Sequence, residues 1–482
     1  MPINHPRRFL LLCLVAGLSI ASSWIISCGG GGGGSIPVGG PVMGTITTSI
    51  TDPPTCAASF DHIWVTITKV TANVSATATP TDSGWVTLVD LTSSPKQLDL
   101  LSLASTTCIL SQLGSTAGLP AANYQQIRFY LLDNSATSGP SPNNCGTHNG
   151  FNCVVPHQDV AQELLLSSEI QTGIKIPPGQ IAGGGINLAV GQSADLNIIF
   201  DSCASIVLQE NGQYRLRPSL RAGEVGTTGN AISGTVVDSS TSKPIAGALV
   251  LLEQPDSNSI DRVVDAGVTV VDGTFIFCPL PTGNYDVVVN AATANADLTT
   301  TVYGTTVTLK VPLGTTLATI PLISEGTAVT PVSSTFRGQV TTVSSGAPTA
   351  ADVTISALQQ VIPTGGSPVS VTIPVLSSLS QPLTITTGAT SASLPACPSG
   401  LDCFNYSLTL PSGNPQVGTF SSGPVVYTPP TAGAATYTIN GETPDCTTSL
   451  PNPPTTTPFV ATPAGTTNVT QALAFSNCTQ PF

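Results

Sequence analysis

Apolar and polar residues alternate with a period of two along most of this chain, the pattern of strands with one covered face. Ile63, Val65 and Ile67 alternate with Trp64, Thr66 and Thr68, which predicts a strand with one aliphatic and one mixed face. Residues 44–50, 85–88, 126–131, 172–177, 193–201 and 213–218 share that texture, the first broken at Asp52-Pro53-Pro54. Residues 98–103 are apolar enough for a short buried segment or a single helical turn. A second run begins near Ala231. Strands at 232–238 and 249–252 flank a turn at 243–248, Asp272-Gly273 precedes a strand, and Pro281-Thr282-Gly283 precedes another at 284–289. Asp-Gly and Pro-Thr-Gly between alternating runs are turn signals, because glycine takes backbone conformations closed to other residues. Residues 324–333 read as a Thr/Ser/Pro linker, and short runs follow at 353–355, 369–373, 383–385, 406–410, 425–427 and 435–439. Long helices are absent. The prediction is an all-β chain of tandem β-sandwich modules at 43–224, 228–323 and 334–482. With small, nearly uncharged hinges between them, each module is expected to fold and melt alone.

Composition sharpens this reading. Only 8% of the 482 residues are charged while 40% are hydrophobic, which suits exported β modules with neutral polar faces better than disorder. The net charge of −13 argues against a nucleic-acid partner, since phosphate binding needs clustered Lys and Arg. Beyond Arg337 there is no Lys, Arg or His at all.

The N-terminus reads as an export signal. Arg7 and Arg8 precede an apolar run at 9–26, which contains Gly17 and serines and is a poor membrane span. Ile25-Ile26-Ser27-Cys28 resembles a bacterial lipobox, and six glycines follow at 29–34. That resemblance implies a signal peptide at 1–27 and a lipid, such as palmitate, on Cys28. It also implies a membrane partner through that anchor, with 28–42 as a Gly-rich linker. An ordinary signal cleaved nearby, leaving Cys28 free, is the alternative. Gly29 stands where an aspartate would hold such a protein at the inner membrane, so the resemblance implies the outer membrane or cell surface.

Of the twelve cysteines, Cys13 leaves with the signal and Cys28 takes lipid. An even number remains, which in an exported chain reads as a disulfide framework. Cys145–Cys153 and Cys397–Cys403 would close small loops, and Cys446–Cys478 would staple the C-terminal module. Cys56–Cys108 is a further pairing, with Cys203 and Cys278 left as buried thiols. No paired Cys-x-x-Cys motif suggests structural zinc.

Several blocks carry a family resemblance. They are Ser49-Ile50-Thr51-Asp52, Phe60-Asp61-His62-Ile63-Trp64, Trp85-Val86-Thr87-Leu88, Leu119-Pro120-Ala121-Ala122-Asn123-Tyr124 and Tyr214-Arg215-Leu216-Arg217-Pro218. In this order they resemble the bacterial lipoprotein family called domain of unknown function 4382, over about 43–224. The resemblance implies export and an all-β fold, and no activity. Residues 135–157 look like a local insert in that pattern. Residues 231–322 are similar to the carboxypeptidase regulatory-like domain, a small sandwich grouped with carbohydrate-binding-like folds and usually a spacer. Its Pro244-Ile245-Ala246-Gly247-Ala248, Asp272-Gly273-Thr274-Phe275 and Leu280-Pro281-Thr282-Gly283-Asn284-Tyr285 blocks are present. No zinc-binding pattern accompanies them. The C-terminal segment is loosely similar to bacterial immunoglobulin-like repeats.

Candidate chemistry is sparse. His62 follows Asp61, but neighbours on a strand point to opposite faces, so the two should not hold each other. His148 and His157 flank Cys153, and a Cys145–Cys153 disulfide is favoured there over a metal site. Asp256, Asn258, Asp261 and Asp265 lack the glycine and distal glutamate of a calcium loop and read as a solvated loop. No Gly-x-Ser-x-Gly elbow stands on a strand–turn–helix. Trp64, Trp85 and Tyr124 are the candidate ligand-facing aromatics, since sugars stack on such rings; core packing competes with that role. The expectation is a non-catalytic, lipid-anchored envelope protein without metal or cofactor. It would bind glycan or another surface polymer, or serve as a structural spacer that meets another envelope protein.

Overall fold

A computed structural model describes residues 43–52, 60–103, 110–166, 169–181, 184–209, 212–225, 231–256, 258–278, 280, 283–328, 333–376, 382–388, 395–443, 445–462 and 467–479. The signal, Cys28, the glycine linker, Cys56, Cys108 and the Cys203 side chain lie outside them. Among the described residues no helix is long and apolar enough to cross a membrane.

The fold is all β. In residues 43–224 the strand Met43–Thr51 buries Ile46 and Ile50 and pairs in parallel with Ser193–Phe200. Ser111–Pro120 and Leu220–Glu224 complete its four-stranded sheet. Facing it, the strand Phe60–Asn73 runs through a larger sheet, buries Ile63, Val65 and Ile67, and takes Gln126–Leu131, Lys96–Asp99 and Cys153–Pro156 as partners. Alternation thus does what the sequence predicts: one face of each sheet closes a common core. The single helical turn expected at 98–103 is the short 3-10 segment Leu100–Ser102.

The middle segment sets Ile232–Asp238 between Thr274–Phe277 and Thr316–Leu322, over a sheet of Asp261–Val268, Leu249–Pro255, Asn284–Ala294 and Thr300–Pro312. That sheet does not stop at the expected module boundary. Gln416–Thr419, from the C-terminal segment, adds in parallel to Thr300–Pro312, with Thr306 opposite Gln416. The stretch read as a linker carries the strand Ser324–Ala328, which also pairs with Thr300–Pro312. The C-terminal segment contributes two further sheets, built around Ser333–Ser344 and Asp352–Val361. One hydrophobic cluster joins Leu251, Val288, Val307 and Leu309 to Phe336, Tyr406, Leu408 and Tyr437. Residues from Val42 to Phe482 make one compact unit.

Three disulfides are formed: Cys145–Cys153, Cys397–Cys403 and Cys446–Cys478. The last joins cross-strand partners on Cys446–Leu450 and Leu473–Cys478. Cys278 is disulfide-bonded too, which corrects the expectation of a buried thiol at that position.

Candidate functional site

Phe60–Asn73 begins with a β-bulge between Phe60 and His62, which leaves Asp61 and His62 both exposed. They do not hold each other. Each takes a partner from another strand or loop: His62 Nδ1 lies 2.8 Å from Asp99 Oδ2, and His157 Nδ1 2.7 Å from Asp61 Oδ1. The backbone N–H of Gln158 donates to the other Asp61 oxygen at 3.2 Å. The hydrogen bond from His157 holds the Asp61 carboxyl below its usual range. Trp64 sits two residues on, half-buried between Asp99 on one neighbouring strand and Cys153 on the other. Its ring lies 5.6 Å from that of His62. Phe60 meets Tyr214 edge-on at 5.6 Å. The first-segment surface therefore presents an aromatic ring beside one imidazole–carboxylate pair, with a second pair at the start of the same strand.

The 135–157 insert borders this face and is pinned by amides. Gln97 Nε2 donates to Asn143 Oδ1 and to the Phe151 carbonyl, both at 3.0 Å, while its oxygen accepts from the Asn144 N–H at 2.8 Å. Thr66 N–H donates to Asn152 Oδ1 at 2.8 Å, and its hydroxyl donates to the Phe151 carbonyl at 2.6 Å. With the disulfide these bonds fix the loop against the sheet. His148 is exposed at its tip. Among the described residues no three His, Cys, Asp or Glu side chains gather as a metal site.

The other two aromatics are placed differently. Tyr124 is 1% exposed and its hydroxyl donates to the Pro120 carbonyl at 2.7 Å, so it is a core residue and not ligand-facing. Trp85 is half-buried, donates Nε1–H to the Thr79 carbonyl at 2.9 Å, and has the Arg128 guanidinium 5.3 Å from its ring centre. One face of that indole is taken.

The acidic loop divides as well. Asp256 accepts from the Asn258 and Ile260 N–H groups and from Arg262 Nε at 3.0 Å, which makes it a turn cap. Asp261 and Asp265 are not solvated: both are buried on Asp261–Val268. Burial pushes both carboxyls up, Asp265 to about 7.

One further feature was not among the sequence candidates. A cleft of about 1160 Å3 opens where the three segments meet, and Lys175, Arg217, Arg262, Asp352, Glu442 and Asp445 line it. At its side Arg215 and Asp352 form an ion pair with side chains only 3% and 2% exposed. Arg217 Nε lies 3.7 Å from Asp352 Oδ2, and its Nη1 donates to Thr354 Oγ1 at 2.8 Å and Thr384 Oγ1 at 3.2 Å. Burial lowers the Arg217 pKa, and the charge of Asp352 offsets part of that. Arg262 bridges segments through Asn440 Oδ1 at 2.9 Å and Glu442 Oε1 at 2.5 Å. The available signal was scarcity: with 13 Lys and Arg in 482 residues, Arg215-Leu216-Arg217 is a conspicuous cluster.

Residues 43–218 match the family described as "Domain of unknown function (DUF4382)". No curated protein matches the chain. Among solved structures it is similar to the Bacillus anthracis TIE protein, at 10% identity and TM-score 0.15, over 90% of this chain and 51% of that one. The chain thus spans about half the length of that protein. A Streptococcal ancillary pilin is similar at 9% identity and TM-score 0.17, over 89% of this chain and 99% of its own. The major pilin subunit of Bacillus cereus stands at 13% identity and TM-score 0.17, over 58% and 99%.

Proposed function

We propose that this chain is a non-catalytic envelope protein, lipid-anchored through Cys28 at the outer membrane or cell surface, that binds a glycan or similar surface polymer. The observation that carries the reading is the face around Trp64. A half-buried indole offers a ring for the apolar side of a sugar, with His62–Asp99 beside it and His157–Asp61 at the start of the same strand as donors and acceptors for hydroxyls. Both pairs are set by the strand, the bulge and the stapled insert, so little order is lost on binding. The carboxypeptidase regulatory-like segment would serve as a spacer. The shared core between the middle and C-terminal segments favours a second role as a rigid spacer or assembly scaffold.

A glycan array with the soluble fragment 43–482 tests the reading. A positive class should weaken roughly tenfold on Trp64→Ala, the worth of one aromatic contact. An array without hits, or hits indifferent to that change, would leave the spacer role alone. The anchor is tested separately: Cys28→Ser should lose fatty-acid labelling and leave the membrane fraction, and continued partitioning with membranes would end the lipid reading.

A further inference from the structure

We propose that the three-segment cleft is a second binding site, for a carboxylate-bearing polysaccharide. The proposal is independent of the Trp64 face, which does not line the cleft. Charge is the first argument. The chain carries −13 overall, yet Lys175, Arg215, Arg217, Arg221 and Arg262 line this one cleft, with Asp352, Glu442 and Asp445 in the lining, Asp256 behind Arg262, and Asp201 and Asp265 near Arg221. Such a gathering of cations in an acidic protein draws an anion to that place.

Free donors are the second argument. Lys175 is exposed, and among the described residues its ammonium has no hydrogen-bond partner. Arg217 spends Nη1 on two threonines and Nε on Asp352, which leaves Nη2 without an acceptor among the described residues. Those same contacts hold the guanidinium in place before any ligand arrives. Size and lining decide the class. At about 1160 Å3 the cleft matches or exceeds pockets for drug-sized ligands, typically about 300–1,000 Å3, and dwarfs a lone phosphate. Thr447 and Ser449 add hydroxyl groups to the lining, and Pro453 and Pro454 add apolar ring surface. Hydroxyl partners, apolar ring faces and two separated cations suit sugar rings that carry carboxylates.

The test is titration calorimetry on the full-length chain in detergent with oligogalacturonate, a neutral cello-oligosaccharide of equal length, and inorganic phosphate. The acidic oligosaccharide should bind at least tenfold tighter than the neutral one and weaken with added salt. Lys175→Ala, which removes no hydrogen bond or ion pair among the described residues, should cost roughly tenfold, the worth of one charge-assisted hydrogen bond. Arg217→Lys, keeping charge but losing the fork, should also weaken binding. Should Arg217→Lys lower the melting temperature, Lys175→Ala alone decides. No binding, equal affinity for the neutral oligosaccharide, indifference to Lys175→Ala, or displacement by equimolar phosphate would each overturn the proposal.

Discussion

Asp265 is the residue whose chemistry most exceeds its appearance in the sequence. It looks like one more acid in a polar loop, yet it is 6% exposed on a strand, beside Arg221, Asp201 and Tyr285. Desolvation raises its carboxyl to about 7, while Arg221 works in the opposite direction. A raised acid binds its proton more tightly in the folded chain than in the unfolded one. Its contribution is therefore fully present below about pH 4 and is lost as pH climbs to about 7. That loss is on the order of 4 kcal/mol at neutral pH. Asp52 and Glu253 are buried and raised too, so the chain should melt progressively lower as pH rises across this window. Asp265→Asn should flatten the slope between pH 4 and 7. Melting curves that keep the full slope in the variant would show that this carboxyl is not responsible. Tyr124 teaches the same lesson from the other side: of the two roles the sequence left open for it, core packing is the one it fills, because burial depends on which strand covers it.

Elements were legible where alternation and turn chemistry agreed. Gln126–Leu131 and Val369–Ile373 stand where the pattern puts them. Asp272-Gly273 makes the expected turn, with Gly273 at φ 74° and a Cβ there only 2.6 Å from the Val236 carbonyl. The three small-loop and C-terminal disulfides follow from neighbouring cysteines. Illegible strands share a cause, which is threonine. Thr300–Pro312 buries Thr305, Thr306 and Thr308, satisfied in part by Thr306 donating to the Pro321 carbonyl at 2.6 Å and by Thr308 meeting the Tyr427 hydroxyl at 2.8 Å. A core face written in threonine looks polar, so its period is invisible. Ser324–Ala328 has almost no apolar residue and looks like a hinge. It is held instead by Glu325, whose carboxylate accepts from the Ser412 and Gly413 N–H groups, both at 2.7 Å. Such long-range pairing leaves no trace in local sequence. The Trp64 face was half legible, since the ring was visible but its partners, 35 and 89 residues or more away in Asp99 and Cys153, were not.

At the scale of the whole molecule, the sequence divides the chain at two polar hinges, and across the second of them sheet and core continue. Residues 228–323 own one core, which includes Ile232, Val236, Val250, Phe275 and Val289, but a second cluster is shared: Leu251, Val288, Val307 and Leu309 pack with Phe336, Tyr406 and Tyr437, and the Gln416–Thr419 strand extends their sheet. Cut at the linker, that segment would expose an apolar face and a sheet edge, both destabilising and prone to association. Residues 43–224 do own a core, and their tie to the C-terminal segment is chiefly polar, through Arg215 and Arg217 to Asp352, Thr354 and Thr384. Removing one partner of a buried ion pair costs about 3–5 kcal/mol, because the other charge is left without compensation. Fragment 43–224 should therefore fold alone, 228–482 should fold as one cooperative body, and 228–323 should melt well below the parent or aggregate. In the full chain, Asp352→Ala should remove the acid that compensates the buried Arg215 charge and lower the melting temperature while separating the 43–224 transition from the rest. Differential scanning calorimetry on the three fragments, the parent and the variant measures all of this. A 228–323 fragment that melts cooperatively at the parent's temperature would refute the shared core and restore three independent modules.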